Sequence, residues 1–185
     1  MVAPSMVGGV RFAGGWVFDR VAAGWDVTVL TADGTDSRAL RILGVRGIDL
    51  DKALNSRIRG PRPLALALDA ALFESDELVR RKLFEVLDGD MHIRLWGGRR
   101  AGEVDPALDE VPGRLQHRLS SAARAFKTHA LAAASAARVP AQCVAPDRVT
   151  GDCTSGAPVP GDPATRATEV FWSAEILRST GAGIT

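Results

Sequence analysis

The twenty residues from Gly14 to Asp33, GGWVFDRVAAGWDVTVLTAD, restrict the fold of this chain more than any other segment. A glycine pair precedes a helical pattern, Gly24 ends it, and the apolar run from Val27 to Leu30 leads to Asp33. A helix, a tight turn, a buried strand and a carboxylate at its end form the unit from which parallel α/β sheets are built. The segment therefore predicts an α/β domain and marks the edge of the sheet where a ligand would bind.

Composition limits the class of protein. The chain has 185 residues, enough for one domain and a tail, and 46% hydrophobic residues, enough for a sizeable core. Its net charge of +1 gives no general attraction to nucleic acid or acidic membranes. No run approaches the ~18 apolar residues of a membrane helix, and the first residues lack the charged region of a signal peptide. We expect a cytoplasmic protein that binds neither membranes nor nucleic acid.

The pattern of apolar residues predicts alternating helices and strands. The expected helices are 12–23, Ser75–Asp88 and Arg114–Arg138, and the expected strands are Val27–Ala32, Leu40–Leu43, an edge strand at Ile48–Leu50, Leu64–Leu68 and Met91–Trp96. Leu64–Leu68 has no polar residue and suits the centre of a parallel sheet, although its Leu-Ala content also suits a helix. The alternation predicts a Rossmann-like, three-layer domain over residues 1–138, with a mostly parallel sheet of four or five strands.

The last part of the chain has a different composition. Residues 139–185 are rich in proline and glycine, so we expect a largely disordered tail with a short helix at 168–177. Cys143 and Cys153 lie in this part; they would be free thiols in the cytoplasm, and a disulfide would need an oxidising compartment.

Two aspartates and a glycine turn follow the predicted parallel strands. Ligands of open parallel sheets bind beyond the carboxyl ends of the strands, and the residues expected there are Asp33, Asp69, Gly97, Gly98 and Arg99. They would suit a nucleotide or another phosphorylated small molecule, although aspartate is also common where strands end. We assign no metal and leave the cofactor unknown.

Gly14 and Gly15 permit two interpretations. If they precede the first helix, the free N–H groups of its N-terminus would bind an anion, and both glycines would belong to the ligand site. Their spacing matches neither GxGxxG nor GxxxxGK[ST], so the alternative is a tight turn before the helix.

The segment from Gly24 to Thr31, GWDVTVLT, is similar to the entry into the second strand of nucleotide-sugar glycosyltransferases and of flavin or nicotinamide Rossmann proteins. The resemblance implies a nucleotide-binding fold. It also implies that Asp33 lies near the position where the dinucleotide-binding families place an acidic residue against a ribose.

The predicted helix Arg114–Arg138 has basic residues and no acidic ones. Arg114, Arg118, Arg124 and Lys127 flank its apolar stripe. Such side chains either keep a surface helix solvated or bind an acidic protein partner.

No catalytic residue is assigned from the sequence, because no Ser-His-Asp or Cys-His arrangement is evident among its three histidines. Whether the chain is an enzyme therefore stays open. The first hypothesis is a non-catalytic ligand- or partner-binding module. The alternatives are a small enzyme acting on a nucleotide, sugar-nucleotide or phosphorylated ligand, and an assembly partner that docks through the basic helix. Since a first strand is nearly absent, a homo-oligomer that completes the sheet is a further option.

Overall fold

A computed structural model describes residues 1–33, 37–56, 63–86, 91–97, 113–137 and 165–173. The strands are β1 (Val2–Ala3), β2 (Thr28–Thr31), β3 (Arg46–Asp49), β4 (Ala65–Asp69), β5 (His92–Trp96), β6 (Arg114–Arg118) and β7 (Thr168–Ser173). The helices within these residues are α1 (Met6–Ala22), α2 (Arg38–Leu43), α3 (Leu50–Asn55), α4 (Ala70–Ser75), α5 (Glu77–Val86) and α6 (Ser121–Ala136).

The strands form one mixed sheet in the order β3-β2-β1-β4-β5-β7-β6. The five strands from β3 to β5 are parallel, whereas β7 pairs antiparallel with both β5 and β6. The two residues of β1 suffice to connect both halves, because Val2 is in register with Leu30 of β2 and with Leu68 of β4. The mostly parallel α/β fold predicted from the sequence is confirmed, and the described residues form seven strands instead of the predicted four or five.

Helices cover both faces of the sheet. We call the side under α1, α2 and α6 the tight face and the side under α3, α4 and α5 the open face. Because strand side chains alternate between faces, Ala3 and Ala67 lie in the core of the tight face, while Val2 and Leu68 lie in the core of the open face. None of the described helices combines the length and apolar character needed to cross a lipid bilayer.

Local capping explains where the helices of the first half of the chain begin and why one predicted strand is wrong. Leu40–Leu43 belongs to helix α2, because the Ser37 hydroxyl accepts from the Leu40 N–H and Gly44 ends the helix at φ +70°. The helix predicted over Ser75–Asp88 is confirmed as α5, Glu77–Val86, while Ser75 is the last residue of α4. Asp76 separates the two helices, since its Oδ1 accepts from the N–H groups of Leu78 and Val79 at the start of α5.

The second half of the chain holds two larger corrections. Arg114–Arg118 forms strand β6, and the helix predicted from Arg114 begins only at Ser121, after the Ser120 side chain caps the Ala123 N–H. Thr168–Ser173 is strand β7, not part of a helix at 168–177, and it lies within the sheet between β5 and β6. The domain therefore does not end at residue 138. Residues 138–164, including both cysteines, lie outside the described part of the chain.

Candidate functional site

The carboxyl edge of the sheet brings three predicted ligand-binding residues to one side of the molecule. Strands β2, β1, β4 and β5 run parallel in that spatial order, so Asp33, Asp69 and Gly97 all follow strands at the same edge. Strand β1 separates β2 from β4, which places their ends roughly 10 Å apart. Gly98 and Arg99 lie outside the described residues.

At this edge the carboxylate of Asp33 occupies the N-terminus of α1. Its Oδ2 accepts from the Met6 N–H at 2.8 Å, and the Ser5 hydroxyl accepts from the Gly8 N–H at 3.2 Å. The N–H groups at the start of a helix are the ones that bind a phosphate in nucleotide-binding folds. Here two of them already donate to side chains of this chain.

Asp69, at the end of β4, likewise accepts a hydrogen bond from the start of a helix. Its Oδ1 accepts from the Leu72 N–H at 3.0 Å, at the start of α4. Gly97 lies beside it with φ +70°, and a Cβ at Gly97 would lie 3.7 Å from Asp69 Oδ2. Glycine is favoured at such a positive φ, so Gly97 lets the chain turn next to this carboxylate.

Gly14 and Gly15 do not lie at a helix N-terminus. They are buried within α1, and Gly15 is nine residues beyond Met6, roughly 14 Å along the helix. A Cβ at Gly15 would come within 2.5 Å of Leu119 Cδ2, and one at Gly14 within 3.0 Å of Val10 Cγ1. The prediction that this pair opens the helix is wrong, since the glycines allow close packing inside the tight face.

Close packing at Gly15 brings the helix backbone to a buried ion pair. Lys127 Nζ of α6 lies 2.8 Å from Glu169 Oε1 of β7, and their side chains are 1% and 2% exposed. Glu169 also accepts from the Gly15 N–H at 2.9 Å and from the Trp16 N–H at 2.7 Å. One carboxylate thus connects α1, α6 and β7.

Burial raises the pKa of Glu169 above its ordinary value, and the Lys127 ammonium and the two N–H donors only partly oppose that rise. Glu169 was not predicted from the sequence because it lay in the predicted tail, and Lys127 was expected to flank the apolar stripe of the basic helix. A signal was present: Lys127 shares the helical stripe of Ala123, Ala130 and Ala134, all buried. A lysine on a buried stripe predicts an acidic partner, because burial of an unpaired charge is costly.

The predicted basic docking surface is divided between two elements. Arg114 and Arg118 lie on strand β6 at one end of the sheet, and Arg124 lies exposed on α6. With Lys127 buried, these residues do not form one face of a single helix.

A serine, a histidine and an aspartate also meet beside α1. Asp19 Oδ2 lies 2.8 Å from His117 Nε2, and the Ser120 hydroxyl donates to Asp19 Oδ1 at 2.7 Å. Burial alone would raise the pKa of Asp19, but the hydrogen bonds from Ser120 and His117 lower it below its ordinary value. In catalytic triads the serine bonds to the histidine. Here both bond to the aspartate, which fastens the β6–α6 junction to α1.

The open face contains an apolar cavity of about 390 Å³ between the sheet and two helices. Its walls include Val2, Leu30, Leu66 and Leu68 from the strands, and Val79 and Leu83 from α5. Lys52 and Ser56 from the α3 side and Lys82 from α5 also line it. Most of its surface is hydrocarbon, as in sites for small organic molecules. Sequence analysis did not predict this cavity, because it arises from the spacing between helices and sheet.

Among the described residues, no group of three or more His, Cys, Asp or Glu side chains is arranged to hold a metal ion. No protein-family model matches the sequence, and no curated protein is significantly similar to it. Among solved structures, the zinc-inhibited form of teicoplanin deacetylase Orf2 is similar with a TM-score of 0.48 and 14% identity, over 72% of this chain and 82% of that chain.

Proposed function

We propose that this chain is a non-catalytic binding module whose small-molecule ligand enters the cavity of the open face. The observation that carries the proposal is the cavity itself, about 390 Å³ with predominantly apolar walls. Its volume lies in the range of roughly 300–1,000 Å³ typical of small-molecule sites. Burial of a ligand's apolar surface there would be favourable by about 25 cal/mol per Å² before the costs of association.

The polar side chains at the sheet edge and in the Ser120, His117 and Asp19 cluster support the non-catalytic part of the proposal. Asp33 and Asp69 accept hydrogen bonds from helix N-termini. Ser120 donates to Asp19 rather than to His117. These side chains are engaged in holding elements together, which disfavours the alternative of an enzyme acting on a nucleotide at the carboxyl edge.

Binding can be tested with N-phenylnaphthylamine, an uncharged dye whose fluorescence rises in apolar surroundings. We expect the dye to bind with a rise in fluorescence and to raise the melting temperature, since a ligand that binds only the folded state stabilises it. The variant Ala53→Trp places an indole on the cavity wall and is expected to abolish dye binding.

The matched control is Ala125→Trp, on the exposed side of α6. It adds the same side chain outside the cavity and should leave dye binding unchanged. If Ala53→Trp keeps its circular dichroism spectrum and still binds the dye as the unmodified chain does, the cavity is not the binding site and the proposal is wrong.

Docking to an acidic partner through Arg118 and Arg124, and a location in the cytoplasm, stay predictions from the sequence. The docking prediction can be tested by charge reversal of both arginines and a pull-down experiment with the unmodified chain as reference. Cell fractionation tests the location.

A further inference from the structure

The polar residues that line the cavity lie on α3, at its C-terminal end, and on the facing helix α5. Lys52 and Ser56 lie at α3, and Lys82 reaches across from α5, where its Nζ lies 3.4 Å from the Ser56 carbonyl oxygen. The Ser56 hydroxyl donates back to the Lys52 carbonyl oxygen at 2.6 Å. The gap between α3 and α5 is therefore the polar end of the cavity, and the strand side chains form its apolar end.

The charges at the polar end have one sign. Both charged residues that line the cavity are lysines. Lys52 has no ion-pair partner within the described part of the chain, and Lys82 Nζ lies 2.9 Å from Glu85 Oε2 in an exposed pair whose carboxylate side chain is 47% exposed. Exposed pairs contribute little free energy, so an incoming anion can replace Glu85 at small cost.

From this arrangement we propose that the cavity binds a medium-chain aliphatic carboxylate, with its chain along the strand side chains and its head group between Lys52 and Lys82. The inference rests on the proposed function, because it names the ligand class of the same cavity. The volume suits a single alkyl chain rather than a two-chain lipid, and the two lysines are the charged residues of the cavity wall, which favours a head group with negative charge.

The experiment compares decanoate with decanol, which has the same chain and no charge, by displacement of N-phenylnaphthylamine from the unmodified protein. We expect decanoate to bind about tenfold more tightly, a difference of the size of one charge-assisted hydrogen bond. The double variant Lys52→Gln/Lys82→Gln should lose this tenfold preference and keep its affinity for decanol. A higher salt concentration should weaken the binding of decanoate and leave the binding of decanol unchanged, because the carboxylate head group is partly exposed to solvent.

Arg81→Gln is the matched control, since it removes one positive charge from the exposed surface of the same helix without touching the cavity lining. It should change neither affinity. Equal affinities for the two ligands, or a double variant that still prefers decanoate, would overturn the carboxylate assignment.

The two proposals fail in different ways. If Ala53→Trp blocks dye, decanoate and decanol alike but the two ligands bind equally, the cavity is a binding site for uncharged apolar molecules and only the carboxylate inference falls. If Ala53→Trp blocks none of them, both proposals fall.

Discussion

The two faces of the sheet are built from adjacent residues of the same strands, yet they pack differently. On the tight face, Ala3, Val29 and Ala67 are 0–1% exposed. On the open face the neighbouring Val2 is 7% exposed, and a cavity of about 390 Å³ lies over it. The helices differ too: the tight face has α1 and α6 with 17 and 16 residues beside the 6-residue α2, whereas α3, α4 and α5 of the open face have 6, 6 and 10 residues.

Side-chain size explains the difference. The small strand residues Ala3 and Ala67 near the middle of the tight face let α1 approach closely, so that a Cβ at Gly9 would lie 3.0 Å from the Ala3 Cβ. The long helices α1 and α6, with several buried glycines and alanines, then pack closely against the sheet and each other. On the open face, short helices span only part of the sheet and leave a gap above the larger side chains. The comparison teaches that one sheet can be closely packed on one side and can border an apolar cavity on the other.

The sharpest test of the tight face is Lys127→Met, which leaves the Glu169 carboxylate buried without its cation. Near neutral pH we expect a loss of about 3–5 kcal/mol in the free energy of unfolding, as for other broken buried ion pairs. Since the folded-state pKa of Glu169 is already raised by burial, removal of the ammonium raises it further. The folded state then binds a proton more tightly than the unfolded state, so stability is retained at low pH and lost as pH rises through that pKa. Urea unfolding should therefore show a smaller loss at about pH 5 than at neutral pH.

The double variant Lys127→Met/Glu169→Gln removes both charges and keeps an amide oxygen for the Gly15 or Trp16 N–H. It should recover most of the stability lost in Lys127→Met, because no buried charge remains. A loss in Lys127→Met of under about 1 kcal/mol at neutral pH would place the pair among weak surface interactions and would contradict its burial in the tight face.

A direct comparison of the faces adds the same side chain to each. Ala130 is 0% exposed on the tight face, and Ala53 lines the cavity of the open face. Ala130→Leu should destabilise by about 1–3 kcal/mol through overpacking. Ala53→Leu should be neutral or stabilising by up to about 1 kcal/mol, because the added methylenes fill empty apolar space. Chemical denaturation of both variants measures the difference, and equal losses would show that the two faces are packed alike.

The elements that the sequence predicted correctly are those with strong local patterns. The segments predicted as strands Val27–Ala32 and Leu64–Leu68 are mostly apolar runs followed by an aspartate, and the structure confirms both as β2 and β4. Their common direction followed from the alternation with helices, which is why Asp33 and Asp69 were placed at one edge. Each of the two carboxylates also accepts a hydrogen bond from the start of a helix. This contact depends on a distance of a few ångströms between the end of the strand and the start of the helix, which cannot be derived from the sequence spacing.

The elements that the sequence missed depend on non-local pairing. Strand β1 has two residues, too few for any pattern, and exists because β2 and β4 bond to it from both sides. Strand β7 follows a segment rich in proline and glycine, and only its pairing with β5 and β6 makes it part of the sheet. Glu169 was missed with it. The apolar spacing from Leu115 to Phe126 fits a helix, but the Ser120 cap shows where the strand ends and the helix starts.

The smallest expected effect is that of a substitution at Ser120. It tests whether the close packing of the tight face extends to the β6–α6 junction. Ser120→Ala removes the cap of α6 and the hydrogen bond to Asp19, and we expect a loss of about 1–2 kcal/mol. Ser37→Ala is the matched control, because Ser37 caps α2 through the Leu40 N–H and no hydrogen bond from its hydroxyl to another side chain occurs within the described residues. It should cost about 1 kcal/mol or less.

The extra cost in Ser120→Ala should depend on pH. The folded-state pKa of Asp19 is lowered, so its stabilising contribution is present above the ordinary pKa of about 4 and is lost as pH falls through the lowered folded-state value. In Ser120→Ala the Asp19 pKa should rise toward the ordinary value, which carboxyl NMR titration measures directly, and the gap to Ser37→Ala should close in acid. If the Asp19 pKa stays where it is in the unmodified chain, Ser120 acts as a helix cap alone, and the contact between α1 and the β6–α6 junction depends on His117 instead.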